Sequence, residues 1–137
     1  MTALLLLPAR DGWNYSFITM GMGALALVVG AVLIFCALYD LRSNFAISPQ
    51  PNASSVLITG GIYRFIRHPL YLGFFILVGG ICLARGSLLH VLPAFFTISS
   101  TVILANIEEA YLIRKFDEYQ LYAQETGKFV PRLTRAS

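Results

Sequence analysis

The chain has 137 residues, of which 57% are hydrophobic and only 12% are charged. Soluble domains have roughly a quarter of their residues charged, so this composition indicates an integral membrane protein. The length suits one compact membrane domain covering residues 1–137. The net charge is +3, but the chain has no long basic run and no nucleic-acid motif, so no nucleic-acid partner is predicted.

Three apolar segments account for most of the hydrophobicity. Residues 17–39 provide 23 positions without a charge and residues 87–107 provide 21, so both can cross a bilayer as helices. Residues 70–84 would form only about 22 Å of helix, which is short of a hydrocarbon core of roughly 30 Å. Only Arg85 and Gly86 separate the second and third segments, so these two are predicted to form a tight helical hairpin. The predicted fold class is an all-α integral membrane protein with about three membrane helices.

Charge asymmetry predicts the orientation. If three segments span, the loop at residues 40–69, which includes a short helix predicted at 62–67, lies on the same side as residues 108–137. That side holds eight basic residues and the other side holds two, Arg10 and Arg85. Basic residues favour the cytoplasmic side, so the N-terminus is predicted outside and the C-terminus in the cytoplasm. The eight are Arg42, Arg64, Arg67, Arg114, Lys115, Lys128, Arg132 and Arg135.

The C-terminal region is predicted to be a cytoplasmic helix followed by a tail. Residues 108–122 contain no Gly or Pro, and their apolar positions recur at helical spacing, so the third helix is predicted to continue through them. Residues 125–133 contain Gly127 and Pro131 and are predicted to form an irregular covering segment.

No metal site is predicted. Cys36 and Cys82 both fall inside apolar segments, where a free cysteine behaves as a small apolar residue. His90 stands alone in the third segment, and no Cys/His spacing typical of a metal site occurs.

Polar residues border the second and third apolar segments. Arg67, His68 and Tyr71 lie where the second segment begins, and Glu108 and Glu109 lie where the third ends. In an antiparallel hairpin these two groups meet on one side of the membrane, where the bases could hold a carboxylate and the acids an ammonium. The alternative is a rim of arginines that reach the headgroups and pair with the carboxylates. The two glutamates point about 100° apart on a helix, so one is predicted to face a ligand while the other pairs with a nearby base.

The stretch from Thr59 to Gly73 reads T-G-G-I-Y-R-F-I-R-H-P-L-Y-L-G. It resembles the signature of the superfamily of isoprenylcysteine carboxyl methyltransferases and phospholipid methyltransferases, roughly T-x-G-x-Y-x-x-x-R-H-P-x-Y-x-G, at every fixed position. The family's second block, roughly E-E-x-x-L-x-x-x-F-G-x-x-Y-x-x-Y, is similar to the stretch that starts at Glu108-Glu109. Asp117 replaces the usual Gly there, and the two tyrosines come one residue early. The resemblance covers about residues 55–133.

The resemblance implies a membrane enzyme that uses S-adenosyl-L-methionine. It implies that Glu108 or Glu109 receives the ammonium group of the cofactor and that Arg67 either binds its carboxylate or acts as a structural clamp. Arg67, Glu108 and Glu109 are therefore the predicted catalytic residues. Arg132 is predicted to close over the site, with a lipid headgroup contact as the alternative. The predicted cofactor-binding residues are Val56, Leu57, Ile58, Tyr63, His68, Pro69, Leu70, Tyr71, Glu108 and Glu109.

The predicted function is methyl transfer at the cytoplasmic membrane face to a hydrophobic or lipid-like acceptor that presents a carboxylate, amine or thiol. Membrane lipids are the other predicted partners, and a homo-oligomer is left open. One alternative is an NADPH-dependent reductase similar to sterol reductases, although Leu70 and Phe74 stand where those sequences have Asn and Glu. The other alternative is a non-catalytic membrane scaffold that retains the module.

Overall fold

The computed structural model describes residues 17–42, 56–85 and 90–132. These residues form four α-helices and one short 3-10 turn, with no strand beyond a single bridge between Ile66 and Gly127. The helices are α1 (Phe17–Leu41), α2 (Pro69–Arg85), α3 (Val91–Lys115) and α4 (Tyr119–Glu125), and the 3-10 turn spans Gly61–Arg64. The described part of the chain therefore has the all-helical architecture that the sequence predicts.

Two of these helices are long and apolar enough to cross a membrane. By length and composition, α1 and α3 pass this test at 25 residues each, whereas α2 is apolar but has only 17 residues. This agrees with a membrane protein in which the middle apolar segment is the short one. Three spans, with α2 as the third, stays a prediction.

The most extensive helix contact joins α1 to α2. The buried positions of α1 are Gly23, Gly30 and Ala37, which recur every seven residues, and the two glycines lie against Gly80 and Gly73 of α2. A Cβ added to Gly30 would lie 2.8 Å from the carbonyl oxygen of Gly73, and one added to Gly23 would lie 2.9 Å from that of Gly80. Small residues therefore let the two backbones approach closely, as is common between membrane helices.

The second and third segments, which the sequence predicts to form a hairpin, contact each other as α2 and α3, but less extensively than α1 and α2 do. A small apolar cluster of Val78, Ile81 and Ala94 joins the end of α2 to the beginning of α3. Cys82 lies beside it and its thiol donates to the carbonyl oxygen of His90 at 3.5 Å. Residues 86–89, which connect the two helices, lie outside the described residues.

The prediction of one continuous helix through residues 108–122 is wrong. Helix α3 ends at Lys115, because Phe116 is extended (φ −124°, ψ 113°), and α4 begins at Tyr119. The amide of Tyr119 donates to the carbonyl oxygen of Phe116 at 3.1 Å and closes a turn between the helices. This turn places the Tyr119 side chain in the interior, with 2% of its surface exposed, so burial of an aromatic ring outweighs the helical propensity of the local sequence.

The polar loop predicted at residues 40–69 also begins later than expected. Asp40 belongs to α1, and its carboxylate accepts a hydrogen bond of 2.8 Å from the amide of Ile62. The short helix predicted at 62–67 is instead the 3-10 turn, which ends at Arg64. Residues 43–55 of the predicted loop lie outside the described residues.

Candidate functional site

The loop that leads into α2, which contains Gly61 and Tyr63, is held by contacts to α1 and to α4. Gly61 has a positive φ of 58°, and the Asp40 carboxylate occupies the space where a Cβ would stand, so this position requires glycine. On the other side, the hydroxyl of Tyr122 donates to the carbonyl oxygen of Tyr63 at 2.6 Å. These contacts bring the loop to Pro69, which occupies the first turn of α2, where its missing amide costs nothing.

Arg67 joins three parts of the chain. Its Nε donates to Glu109 Oε1 at 2.9 Å, and its Nη1 donates to the carbonyl oxygens of Ala123, at 2.7 Å, and Thr126. Its side chain is only 12% exposed. Of the two roles that the sequence leaves open for Arg67, these contacts favour the structural clamp, because protein acceptors already engage the guanidinium.

Glu109 is surrounded by bases. Besides Arg67, Lys128 Nζ lies 2.9 Å from Glu109 Oε2, and His68 Nε2 lies 3.1 Å from Glu109 Oε1. Because a carboxylate only accepts hydrogen bonds, His68 donates through Nε2. Two cationic side chains therefore compensate the charge of Glu109 and His68 adds a hydrogen bond, which is the behaviour predicted for the member of the acidic pair that does not face a ligand.

Glu108 has a different environment one residue earlier. Its Oε2 accepts a hydrogen bond of 3.0 Å from the hydroxyl of Tyr71 and lies 3.7 Å from His68 Nδ1. Its side chain is 32% exposed, against 18% for Glu109. Of these two contacts only that with His68 involves a basic side chain, whereas Arg67 and Lys128 both lie against Glu109. The carboxylate of Glu108 is thus the less compensated and more accessible of the two.

Tyr63 adds a neutral hydroxyl near this carboxylate. Burial, and after it the charge of Glu108, raise the pKa of the Tyr63 hydroxyl well above its usual range. The hydroxyl therefore stays protonated at physiological pH and keeps its proton for donation. The sequence places Tyr63, Tyr71 and Glu108 in separate segments, and the structure brings all three to one region of the protein.

Aromatic rings extend the cluster along α2. The rings of His68 and Tyr71 stack with centroids 5.4 Å apart and planes 14° apart. Phe129 contacts His68 at 5.8 Å between centroids and Phe75 at 5.2 Å. Sequence reasoning missed both phenylalanines, because a Phe in an apolar helix and a Phe in an irregular tail carry no signal of their own.

Phe129 is carried by a segment that we call the strap, residues 126–131. The strap pairs with the loop before α2 through hydrogen bonds from the amide of Arg67 to the carbonyl of Gly127, at 2.8 Å, and from that of His68 to the carbonyl of Lys128, at 3.1 Å. The covering segment predicted at residues 125–133 is irregular over residues 126–132, whereas Glu125 is the last residue of α4. The segment lies against the loop that contains the first motif.

The remaining predicted residues lie at different distances from this cluster. Arg132 is exposed, donates to the carbonyl of Gln124 and borders an open cleft of about 540 Å³ together with Arg64; no described contact joins it to Glu108. Pro69 is fully buried. Val56 is exposed, whereas three others are half-buried: Leu57, Ile58 and Leu70. Their roles in cofactor binding stay predictions.

Comparison with known proteins assigns the chain to a family. The family model described as phospholipid methyltransferase matches residues 18–119, which cover nearly all of α1, the first motif, most of the second motif and the turn before α4. The chain belongs to the phospholipid methyltransferase family. This confirms the superfamily that the two sequence motifs indicate.

Individual relatives agree with this assignment. The chain is 31% identical over 128 residues to a protein-S-isoprenylcysteine O-methyltransferase of Schizosaccharomyces pombe, covering 86% of this chain and 52% of the relative. It is 33% identical over 128 residues to the nickel-cobalt-cadmium resistance protein NccN of Alcaligenes xylosoxydans xylosoxydans, covering 90% and 54%. A methanethiol S-methyltransferase of a Pseudomonas species is 38% identical over 72 residues, covering 52% and 27%. The chain spans about half the length of the first two relatives.

Proposed function

We propose that this protein is an S-adenosyl-L-methionine-dependent methyltransferase that acts at the cytoplasmic face of a membrane on a hydrophobic or lipid-like acceptor. The observation that carries the proposal is that the two adjacent carboxylates differ in how far their charges are compensated and in how exposed they are. Arg67 and Lys128 compensate the charge of Glu109, to which His68 adds a hydrogen bond, while Glu108 accepts a hydrogen bond from Tyr71 and keeps an accessible charge. Methyltransferases among the relatives support the same reaction class.

The residues present fit the amino-acid end of such a cofactor. An ammonium group seeks a carboxylate that is not already neutralised, and Glu108 is the one that meets this condition in the acidic pair. Tyr71 holds this carboxylate in place through its hydroxyl. Tyr63 is buried with its proton retained, so it can donate a further hydrogen bond to a carboxylate or a ribose oxygen.

The chain's own part in the reaction is to position and to exclude water. The cofactor, when bound, supplies a sulfonium-activated methyl group, whose bonding pair stays on sulfur as a lone pair of the acceptor forms the new bond. The protein must hold the acceptor's nucleophilic atom in line with that bond, and such alignment can contribute several kcal/mol, on the order of 7 or more. The ring stack of His68 and Tyr71 and the clamp at Arg67 keep the walls of the site fixed.

The site's position relative to the membrane follows from the basic residues. The first motif and the end of α3 lie among the eight basic residues that favour the cytoplasmic side. A cytoplasmic site gives a water-soluble cofactor direct access, whereas an apolar acceptor arrives through the bilayer. A C-terminal tag accessible from the extracytoplasmic side alone would contradict this orientation.

Calorimetry in detergent tests the proposal with two ligands and two variants. S-Adenosylhomocysteine should bind the parent protein, and a concentration of 100 times its dissociation constant should stabilise the fold by about 2.7 kcal/mol. NADPH should do neither. Glu108→Gln should weaken S-adenosylhomocysteine binding by about 1–3 kcal/mol, a typical value for a hydrogen bond to a charged group, and Glu109→Gln by much less.

Each alternative function has its own outcome in this experiment. Stabilisation of the protein by NADPH but not by S-adenosylhomocysteine would support the reductase hypothesis instead. S-Adenosylhomocysteine binding without methyl transfer to any apolar acceptor would favour the non-catalytic scaffold. Equal affinity in the parent, Glu108→Gln and Glu109→Gln proteins would show that the carboxylate pair is not the cofactor site.

A further inference from the structure

We infer that Phe75 and Phe129 form the wall that contacts the hydrocarbon chain of the methyl acceptor, and that they set the length of chain the protein accepts. The inference rests on the proposed function and names a part of its acceptor site. Neither residue belongs to the two sequence motifs, and Phe129 comes from a segment that lies more than 50 positions after Phe75 in the chain.

A continuous row of side chains joins this pair to the candidate cofactor carboxylate. The hydroxyl of Tyr71 donates to Glu108, the Tyr71 ring stacks on His68, and the His68 ring contacts Phe129. Phe129 in turn contacts Phe75 with 5.2 Å between centroids. An acceptor whose nucleophilic head meets the methyl group of a cofactor held at Glu108 would therefore have these two phenylalanine rings within reach of its apolar portion.

The depth of Phe75 suits a chain that comes from the bilayer. It lies four residues after Tyr71 on α2, which corresponds to about 6 Å further along the helix at 1.5 Å per residue, away from the polar rim. Both Phe75 and Phe129 are half-buried, so part of each ring is open to a ligand. An apolar, partly open surface next to a polar site is what an amphiphilic acceptor requires.

The strap holds Phe129 in a defined position between α2 and α3. Lys128 Nζ donates to Asn106 Oδ1 at 2.6 Å and to Glu109 on α3, while the backbone of the strap bonds the residues just before α2. A Cβ on Gly127 would collide with the carbonyl group of Val130, so this turn is tight and requires glycine. At the opposite ends of the two helices Val78, Ile81 and Ala94 pack directly. At this end the strap adds its contacts to the hydrogen bond between Tyr71 and Glu108.

Chain-length selectivity is the property that tests this role. S-Dimethylallyl, S-geranyl and S-farnesyl derivatives of N-acetylcysteine share one head and differ only in chain length. We expect Phe129→Ala to raise the preference for the farnesyl over the dimethylallyl compound by roughly tenfold, in binding and in kcat/KM, because the lost ring leaves room for a longer chain. Phe129→Trp should shift the preference in the opposite direction, and Phe75→Ala should act like Phe129→Ala.

Phe96→Ala is the matched control. Phe96 also pairs with another phenylalanine, Phe95, but this pair lies near the beginning of α3 and is exposed. Its removal should leave the preference within about twofold of the parent. S-Adenosylhomocysteine affinity, measured on each variant, reports whether the fold and the cofactor site are intact.

The outcomes separate this inference from the proposed function. A preference that stays unchanged or falls in Phe129→Ala, or that moves equally in Phe96→Ala, overturns the inference while the methyltransferase proposal stands. Failure of the parent to bind any of the three compounds also overturns the inference, even where S-adenosylhomocysteine binds. Failure of the parent to bind S-adenosylhomocysteine refutes the proposed function itself.

Discussion

The contact between α1 and α2 and the polar rim around Glu109 hold the chain together in opposite ways. Between α1 and α2, close packing depends on missing side chains, since Gly23 and Gly30 bring backbone against backbone. At the rim, contact depends on long side chains, since Arg67 and Lys128 each reach to Glu109 from other segments. The first region is formed by two helices, whereas the rim needs four segments: the loop before α2, α3, α4 and the strap.

The comparison shows which region each kind of substitution should damage. A glycine contact fails when atoms are added, because a backbone carbonyl cannot move aside as the end of a side chain can. A polar junction fails when atoms are removed, because the partners left behind are buried without compensation. The rim is also the region that presents Glu108, so its rigidity bears on function as well as on stability.

Removing the Arg67 guanidinium should have the largest effect on the rim. Arg67→Met keeps much of the apolar stem but leaves Glu109 with one base fewer and leaves the carbonyls of Ala123 and Thr126 without this donor. Both partners of the ion pair are mostly buried, so we expect a loss of about 3–5 kcal/mol in the free energy of unfolding. Denaturant-induced unfolding in detergent would measure it.

Arg64→Met is the control for that variant. Arg64 lies three residues earlier, on the 3-10 turn, and its side chain is exposed, so its replacement should change the free energy of unfolding by no more than about 0.5 kcal/mol. Equal losses in the two variants would mean that positive charge in general, rather than the described contacts of Arg67, stabilises the rim.

Adding one methyl group to the glycine contact should have the next largest effect. A Cβ in Gly30→Ala would stand 2.8 Å from the carbonyl oxygen of Gly73 and 2.9 Å from the Leu77 side chain, so the two helices must separate. We expect a loss of about 1–3 kcal/mol in the free energy of unfolding, the usual cost of overpacking. Thermal unfolding of the purified protein would measure it.

Gly21→Ala gives the matched comparison on the same helix. A Cβ at Gly21 meets nothing within 4 Å, and alanine is the better helix former, so this variant should be neutral or slightly more stable. A loss in Gly21→Ala as large as that in Gly30→Ala would show that helix propensity or lipid contact, and not the distance between α1 and α2, decides the outcome.

The two regions also differ in how far the sequence predicts them. The meeting of His68, Tyr71 and the two glutamates follows from an antiparallel hairpin with polar ends, and the structure brings these residues together as expected. The seven-residue recurrence of small residues in α1 was not recognised, because glycine in an apolar segment is common in membrane helices whether or not it marks a contact. Spacing in the chain alone could not show that α2 packs mainly on α1.

Other differences arise where tertiary contacts outweigh local preference. Residues 108–122 have no helix breaker, yet the helix stops because Tyr119 is buried after a turn that no local rule demands. The strap was predicted to be irregular and to cover the protein, but the inward position of Phe129 follows from backbone hydrogen bonds to residues about 60 positions earlier. Such pairing depends on the assembled helices, so the linear pattern carries no trace of it.

The contact between Asp40 and Gly61 should give the smallest effect. It combines the two kinds of contact compared above, a glycine that leaves no room for a side chain and a polar side chain that reaches from another segment. The carboxylate of Asp40 occupies the space where a Cβ of Gly61 would stand and accepts the amide of Ile62. Asp40→Ala removes the acceptor, and Gly61→Ala adds the obstructing atom at a positive φ, so each should cost on the order of 1–2 kcal/mol in the free energy of unfolding.

The double variant should cost less than the sum, by about 1 kcal/mol, because with the carboxylate gone the added methyl group no longer collides with it. A double-mutant cycle of unfolding free energies measures this coupling. If the losses of the two single variants simply add in the double variant, the positive φ at Gly61, and not the Asp40 carboxylate, accounts for the requirement for glycine. The close contact between α1 and the motif loop would then not contribute to it.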